Sequence, residues 1–267
     1  MTAMTDHPFD TDTRVAPVAD HAYAATLTDR WTALGGVPNG GYLLAVCLQA
    51  LSHDLPFPDP MVASASFLRP AATGPAEVHT ETVRSGRRVA TGESRLVQDG
   101  KETVRVVATF GDLAAANGRT EVHGGPPDLP PPDETIDLLG GGSLPGVSIT
   151  ERFDYRAAAL PGWAQGRPTG DAELAFWMRF RGDREADPLA LAAMVDAAAP
   201  AVLELGAQGS ATMQLTVHVR GRPAPGWLAC RAATRYVIGG YHEEDFEIWD
   251  SDGRLVAQSR QFALLAG

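Results

Sequence analysis

Three short sequence features recur at a single spacing, and this repeat limits the possible folds more than any other feature of the sequence. Pro70, Gly86 and the pair Asp99-Gly100 each have a counterpart 153 residues later, at Pro223, Gly239 and Asp252-Gly253. Both Asp-Gly pairs separate runs of alternating apolar residues, which is typical of β-hairpin turns. The period is much longer than that of a solenoid repeat, so the sequence predicts two fused copies of one fold.

Both halves also show the same order of predicted elements. In the first half, a strand within 21–31 precedes the segment Gly40–Leu51, which is apolar on almost every face and therefore predicts a buried helix. In the second half, a proline-initiated helix begins at Pro188 and ends before Pro200. Alternation predicts the remaining strands at 61–69, 76–84, 88–98, 102–110, 149–156, 173–181, 211–220, 226–236, 241–249 and 254–264. The fold class is α+β, with a sheet wrapped around a long central helix in each half.

Residues 112–147 separate the two predicted copies. This stretch contains Gly124-Gly125-Pro126-Pro127, Pro130-Pro131-Pro132 and Gly140-Gly141-Gly142. Because a structureless stretch of this length is unusual inside a compact domain, we interpret it as a linker. The predicted organisation is a first unit over 1–111, a linker over 112–147 and a second unit over 148–267.

Charge and composition exclude several classes of protein. With 22 basic and 33 acidic residues, the net charge of −11 disfavours nucleic-acid binding. No apolar run is long enough for a transmembrane helix, and the acidic N-terminal residues do not predict a secretory signal. Cys47 and Cys230 are the only cysteines, too few for a disulfide framework or a zinc cluster. We therefore expect a cytoplasmic protein without a membrane span.

The sequence resembles a known family in motifs spread over both halves. The order of elements is similar to the hotdog fold, and the duplication resembles the double-hotdog acyl-CoA thioesterases of the thioesterase II-like group. The motifs that carry the resemblance are Pro38-Asn39-Gly40-Gly41-Tyr42, Ser66-Phe67-Leu68-Arg69-Pro70, Met194-Val195-Asp196 and the segment from Asp252-Gly253 to Gln261. The resemblance implies a tandem hotdog with two antiparallel sheets, each around a central helix.

The resemblance further implies that the chain hydrolyses acyl-CoA thioesters with a bound water and without a covalent intermediate. An aspartate, a threonine and a glutamine hold the water in that family, and the corresponding residues here are Asp196, Thr212 and Gln261. Thr216 is an alternative to Thr212, because strict alternation puts both on one face of their strand. In related single hotdogs a glycine pair stabilises the oxyanion, which suggests the same role for Gly40 and Gly41.

The residues themselves are compatible with this chemistry. Asp196 lies in an apolar stretch, where burial raises the pKa of a carboxyl group and makes it a better base near neutral pH. Alternation turns Gln261 toward the apolar side of its strand. The first predicted helix contains no acidic residue, so we expect one active site per chain, centred on the second half.

Several arginines of the first half are candidate contacts for the substrate. Arg69, Arg84, Arg87 and Arg88 are cations that could meet the phosphates of CoA. We expect the acyl chain to lie between the two helices. Neither a cofactor nor a metal is expected, and assembly into a homo-oligomer stays open.

Other functions are less compatible with the sequence. No G-x-S-x-G segment indicates a serine hydrolase, and no glycine fingerprint indicates a nucleotide fold. His242-Glu243-Glu244 lacks a second histidine at zinc-ligand spacing. The remaining alternative is a non-catalytic double hotdog that binds an acyl chain or acyl-CoA.

Overall fold

A computed structural model describes residues 7–265 of the chain. The N-terminal part begins with a short helix and continues with six strands around a long helix. These elements are α1 (Pro8–Asp12), β1 (Ala16–Ala19), β2 (Ala22–Leu27), α2 (Gly40–Asp54), β3 (Asp59–Phe67), β4 (Gly74–Ser85), β5 (Val89–Gln98) and β6 (Lys101–Gly111).

The C-terminal part has a similar order of elements after two additional strands. Its elements are β7 (Ile136–Asp137), β8 (Phe153–Ala157), β9 (Glu173–Phe180), α3 (Pro188–Met194), β10 (Ser210–Val219), β11 (Leu228–Ala233), β12 (Val237–Ile238), β13 (Tyr241–Trp249) and β14 (Leu255–Leu265). Short 3-10 turns span Asp29–Trp31, Pro132–Glu134, Ser148–Glu151, Trp163–Gln165 and Ala201–Leu205.

The internal repeat is visible in the positions of equivalent strands. β3 and β10 begin at residues 59 and 210, and β6 and β14 begin at residues 101 and 255. The Asp99-Gly100 turn has positive φ at both residues, the backbone of a two-residue hairpin turn. Gly253 in the equivalent turn also has positive φ.

Within residues 7–265 the strands form one sheet of 14 strands, and the prediction of two separate sheets is therefore wrong. β3 of the first half pairs antiparallel with β10 of the second, from Gln214 opposite Ser66 to His218 opposite Val62. Each of these strands would otherwise be an edge with unpaired backbone N–H and C=O groups. Their pairing satisfies those groups and joins the halves.

The two central helices, α2 and α3, differ in length. α2 has 15 residues and carries Leu44, Leu48 and Leu51 with no exposed surface. α3 has only seven residues, so the prediction of a long second helix is wrong. After Met194 the chain forms a tighter turn, in which the N–H of Ala197 donates a hydrogen bond to the carbonyl of Met194, three residues earlier. Pro200 then prevents further helix.

Part of the predicted linker is ordered against the second half. β7 lies within it and pairs with β8 at one edge of the sheet. The indole Nε1 of Trp177 donates a hydrogen bond to the carbonyl of Pro130, 2.9 Å away. The division into two units and a linker stays a prediction, and its outer ends, 1–6 and 266–267, lie outside the described residues. None of the helices in residues 7–265 combines the length and apolar character that crossing a bilayer would require.

Candidate active site

Asp196 lies at the point where the two helices meet. It follows the C-terminal end of α3, and its Oδ2 accepts a hydrogen bond from the backbone N–H of Gly41 at 2.8 Å. The Asn39 side chain donates from Nδ2 to the same carboxylate oxygen at 3.1 Å and to the Asp196 carbonyl at 2.7 Å. The second half therefore supplies the carboxylate, and the first half supplies the groups that hold it.

The start of α2 is shaped for this contact. Asn39 is the N-cap, and its Oδ1 accepts the N–H of Tyr42 at 3.1 Å, which leaves its amide nitrogen free to reach Asp196. A Cβ on Gly41 would lie 2.2 Å from the carbonyl oxygen of Ala193. The glycine is required because the two helices approach backbone to backbone.

Burial dominates the electrostatics of Asp196. Removal from water raises the pKa of its carboxyl group to about 6, and the hydrogen bonds from Gly41 and Asn39 limit that rise. The side chain is half-buried, so a small molecule can still approach it. A carboxylate with this pKa is mostly ionised at pH 7 and can accept a proton.

In this structure the backbone N–H groups of the glycine pair interact with the Asp196 carboxylate. The N–H of Gly41 points at the carboxylate, and the N–H of Gly40 also lowers its pKa. The predicted oxyanion role of Gly40 and Gly41 stays a prediction. In that role the two amides would have to release the Asp196 carboxylate and donate their hydrogen bonds to the substrate oxygen instead.

The structure brings Thr212 and Gln261 together. Thr212 on β10 donates its hydroxyl hydrogen to Oε1 of Gln261 on β14, with 2.7 Å between the oxygens. Gln261 is buried on the inward face, as alternation predicts. A β-bulge at Met213, which is 46% exposed, sets the face of Thr212. The extra residue turns Thr212 to the side of Gln261, so the strict alternation used for this strand is wrong at its start.

Thr216, the alternative to Thr212, lies on the opposite face of β10. Its hydroxyl is 3.0 Å from that of Ser64 across the pairing of β3 and β10. It lines a polar groove on the outer surface of the sheet together with His218 and Arg260. Thr216 therefore does not share a site with Gln261.

Two further polar residues lie at the site, and neither was assigned a function from the sequence. One is Asn39. The other is Glu244 on β13, which is 4% exposed and accepts hydrogen bonds from Gln261 Nε2 at 2.9 Å and from the Ala201 N–H at 2.6 Å. Alternation along β13 could have predicted that Glu244 is buried, because it shares a face of the strand with the apolar residues Phe246 and Ile248.

The four predicted CoA-binding arginines do not form one patch. Arg69 follows β3, where Phe67 contacts the start of α2, and its guanidinium donates to the Glu102 carbonyl. The other three, Arg84, Arg87 and Arg88, are exposed around the turn between β4 and β5. Phe67, near Arg69, pairs with Val104 of β6, whereas Val89, next to Arg88, pairs with Gly111 at the other end of the same strand. At about 3.3 Å per residue, Val104 and Gly111 are about 23 Å apart.

An apolar cavity of about 380 Å³ is lined on one side by the residues that follow Asp196 in the chain. Its wall includes Ala197, Ala198 and Ala199, and the Tyr155 hydroxyl fixes this segment by donating to the carbonyl of Ala197 at 2.6 Å. The remaining walls come from the predicted linker, β8, β9 and the loop at 157–164; they include Leu139, Leu144, Leu160, Trp163, Leu174 and Phe176. The expected acyl slot between the helices is closed where Gly41 meets Ala193.

Residues 7–265 contain no group of three histidine, cysteine or acidic side chains arranged as metal ligands. Cys47 and Cys230 are both buried and free.

Comparisons with known proteins agree with this architecture. The family model for the acyl-CoA thioesterase N-terminal domain matches residues 27–111, and the model for the acyl-CoA thioesterase C-terminal domain matches residues 124–265. An uncharacterized protein of Mycobacterium tuberculosis is 29% identical over 99% of this chain and 97% of its own. A thioesterase-like protein of Talaromyces wortmannii is 24% identical over 96% of this chain and 91% of its own.

Solved structures have the same fold. A candidate thioesterase II from Thermobifida fusca has a TM-score of 0.87 and 31% identity, with 98% of each chain covered. A hotdog-fold protein from Alicyclobacillus acidocaldarius has a TM-score of 0.85 and 24% identity, covering 98% of this chain and 99% of that one. The expected hotdog fold is confirmed. Because the two family models together match most of its length, the chain belongs to the acyl-CoA thioesterase family.

Proposed function

We propose that this protein hydrolyses acyl-CoA thioesters to a free acid and CoA. The observation that carries the proposal is the half-buried Asp196 carboxylate, whose pKa is raised to about 6 and which directly precedes Ala197 in the wall of an apolar cavity. Such a group is a competent general base near neutral pH. The hydrogen-bonded pair Thr212 and Gln261, from the neighbouring strands β10 and β14, supports the same assignment.

In the proposed reaction, Asp196 takes a proton from a water while the water oxygen attacks the thioester carbon. The tetrahedral intermediate then collapses, the bond to sulfur breaks, and the proton on Asp196 passes to the departing thiolate. Thr212 and Gln261 hold the water. No acyl-enzyme forms, and the atoms of one water are divided between the acid and the thiol.

The substrate is proposed to lie across the two halves. The acyl group enters the cavity that begins at Ala197, and Arg69, at the same end of the strands as the start of α2, meets a phosphate of CoA. We place the protein in the cytoplasm, a reducing compartment suited to its buried free cysteines. Pairing of chains into a homo-oligomer stays a prediction.

Release of free thiol from a series of acyl-CoAs of increasing chain length tests the proposal. Hydrolysis by the wild-type protein, lost about 10²- to 10⁴-fold in Asp196→Asn, is the expected result. An unchanged rate in that variant contradicts the mechanism. No hydrolysis, with tight acyl-CoA binding in calorimetry, supports the non-catalytic alternative.

The same series locates the acyl group. Ala198→Phe adds a large side chain to the cavity wall, so the preferred acyl chain should become shorter while short substrates are still hydrolysed. An unchanged preference would place the acyl group elsewhere.

A further inference from the structure

Glu244 is a buried carboxylate that the proposed reaction does not use. It faces inward on β13, whereas Glu243 and Asp245 on either side are partly exposed. Each of its oxygens accepts one hydrogen bond, Oε1 from Gln261 Nε2 and Oε2 from the N–H of Ala201. Burying an ionisable group without a role is costly, and an apolar residue would fill this position in the core.

The chemistry of a carboxylate fixes the direction of the neighbouring hydrogen bonds. An ionised Glu244 can only accept, so Gln261 must turn its Nε2 toward it and its Oε1 toward Thr212. Thr212 then donates its only hydroxyl hydrogen to that Oε1, at 2.7 Å. The Oγ1 of Thr212 has only lone pairs left for any other partner.

We propose that Glu244 is a positioning residue, which acts through Gln261 to orient the Thr212 hydroxyl toward the attacking water. The inference rests on the proposed hydrolysis. A water bound there must donate one hydrogen to Thr212 and the other to Asp196. It accepts from the second Nε2 hydrogen of Gln261 with one lone pair, and its other lone pair faces the thioester carbon.

The hydrogen-bond direction described above holds for the ionised form of Glu244, which dominates above about pH 7. Burial raises the pKa of Glu244 to about 7, and the negative charges of Asp196 and Asp245 raise it as well. The negative charge of Asp196 acts on the Glu244 carboxyl group, so the two carboxylates interact electrostatically.

The isosteric variant Glu244→Gln tests the direction of the network. Its carbonyl is needed by the Ala201 N–H, so its NH₂ group faces Gln261 and forces that amide to reverse. Thr212 would then accept from Gln261 and direct its own hydrogen at the water. We expect kcat to fall about 10- to 100-fold, with KM changed less than about twofold. Glu247→Gln, on the outward side of the same strand, is the matched control and should leave both constants unchanged.

A double-mutant cycle separates positioning from a general structural effect. In a Thr212→Val background, Glu244→Gln should lower kcat by a smaller factor than in the wild-type background, because the hydroxyl is gone and only the contact of Gln261 Nε2 with the water remains to be lost. Effects that multiply, or an unchanged kcat in the single variant, overturn the inference.

An NMR measurement keeps the inference testable without turnover. The side-chain amide of Gln261 is assigned by its absence in Gln261→Met. In the wild-type protein, one Nε2 proton should be shifted downfield and exchange slowly with solvent. Glu244→Gln should abolish both properties. If the wild-type protein hydrolyses no acyl-CoA, the proposed function fails, whereas this measurement still decides the contact. Exchange as fast as that of an exposed glutamine overturns the inference even if the variant does not fold.

Discussion

Asp196→Asn should change how the stability of the protein depends on pH. The pKa of Asp196 rises from 3.8 to about 6 on folding, mainly because the carboxyl group is removed from water. Between about pH 4 and pH 6 the folded state therefore keeps a proton that the unfolded state has lost. The free energy of unfolding falls as the pH rises through this window, and above it the destabilisation by Asp196 is complete and no longer changes with pH.

The size of the effect follows from the shift. At about 1.36 kcal/mol per pKa unit, the upper bound is about 3 kcal/mol. Solvent screening of a half-buried side chain reduces the expected value to about 1–2 kcal/mol. Asparagine has no proton to release, so the stability of the variant relative to the wild-type protein should increase by that amount from pH 4 to pH 7.5. Loss of the Asp196 charge also lowers the pKa of Glu244, which changes stability in the same direction.

Urea denaturation followed by circular dichroism at several pH values measures this difference. Asp250→Asn is a control of opposite sign. Burial raises the pKa of Asp250, but the hydrogen bonds from Arg254 and Ala224 outweigh it, and the net pKa is lowered. The stability that Asp250 contributes is therefore present above its unfolded-state pKa and is lost as the pH falls. A flat difference for Asp196→Asn, or one that decreases with rising pH, would refute the assignment of a desolvated carboxylate.

Three further substitutions probe the site. Gly41→Ala should destabilise the protein by about 1–3 kcal/mol, seen as a lower melting temperature, because its Cβ would meet the Ala193 carbonyl; an unchanged melting temperature would contradict that contact. Thr212→Val should reduce kcat at least about tenfold while Thr216→Val does not, and equal effects would contradict the assignment of the two threonines to opposite faces. Glu204→Gln should lower the melting temperature, since this carboxylate accepts two backbone N–H groups of the loop beside the cavity.

Local patterns predicted most of the secondary structure. Alternating side chains and Asp-Gly turns located the strands β3 to β6 and β10, β13 and β14, because a half-buried strand has to present apolar residues with a period of two. The same rule placed Gln261 on the inward face. These features depend on neighbouring residues, so they can be read from the sequence.

The features that the sequence did not predict depend on distant residues or on backbone irregularities. The bulge at Met213 reverses the face of Thr212, and nothing in the residue types marks it. Pairing of β3 with β10 joins segments that are about 150 residues apart. The separation of Arg69 from Arg87 depends on strand register, which a count of nearby arginines does not contain.

The pairing of β3 with β10 also sets a time during synthesis. A ribosome adds about 5–20 residues per second, so about 8–30 s pass between completion of β3 at Phe67 and completion of β10 at Val219. During this interval β6 is already available to pair with β3, whereas the backbone groups that β10 will bind are still open to pairing with another nascent chain. A high density of nascent chains should therefore favour aggregation at this strand, and less frequent initiation of synthesis should increase the yield of folded chains.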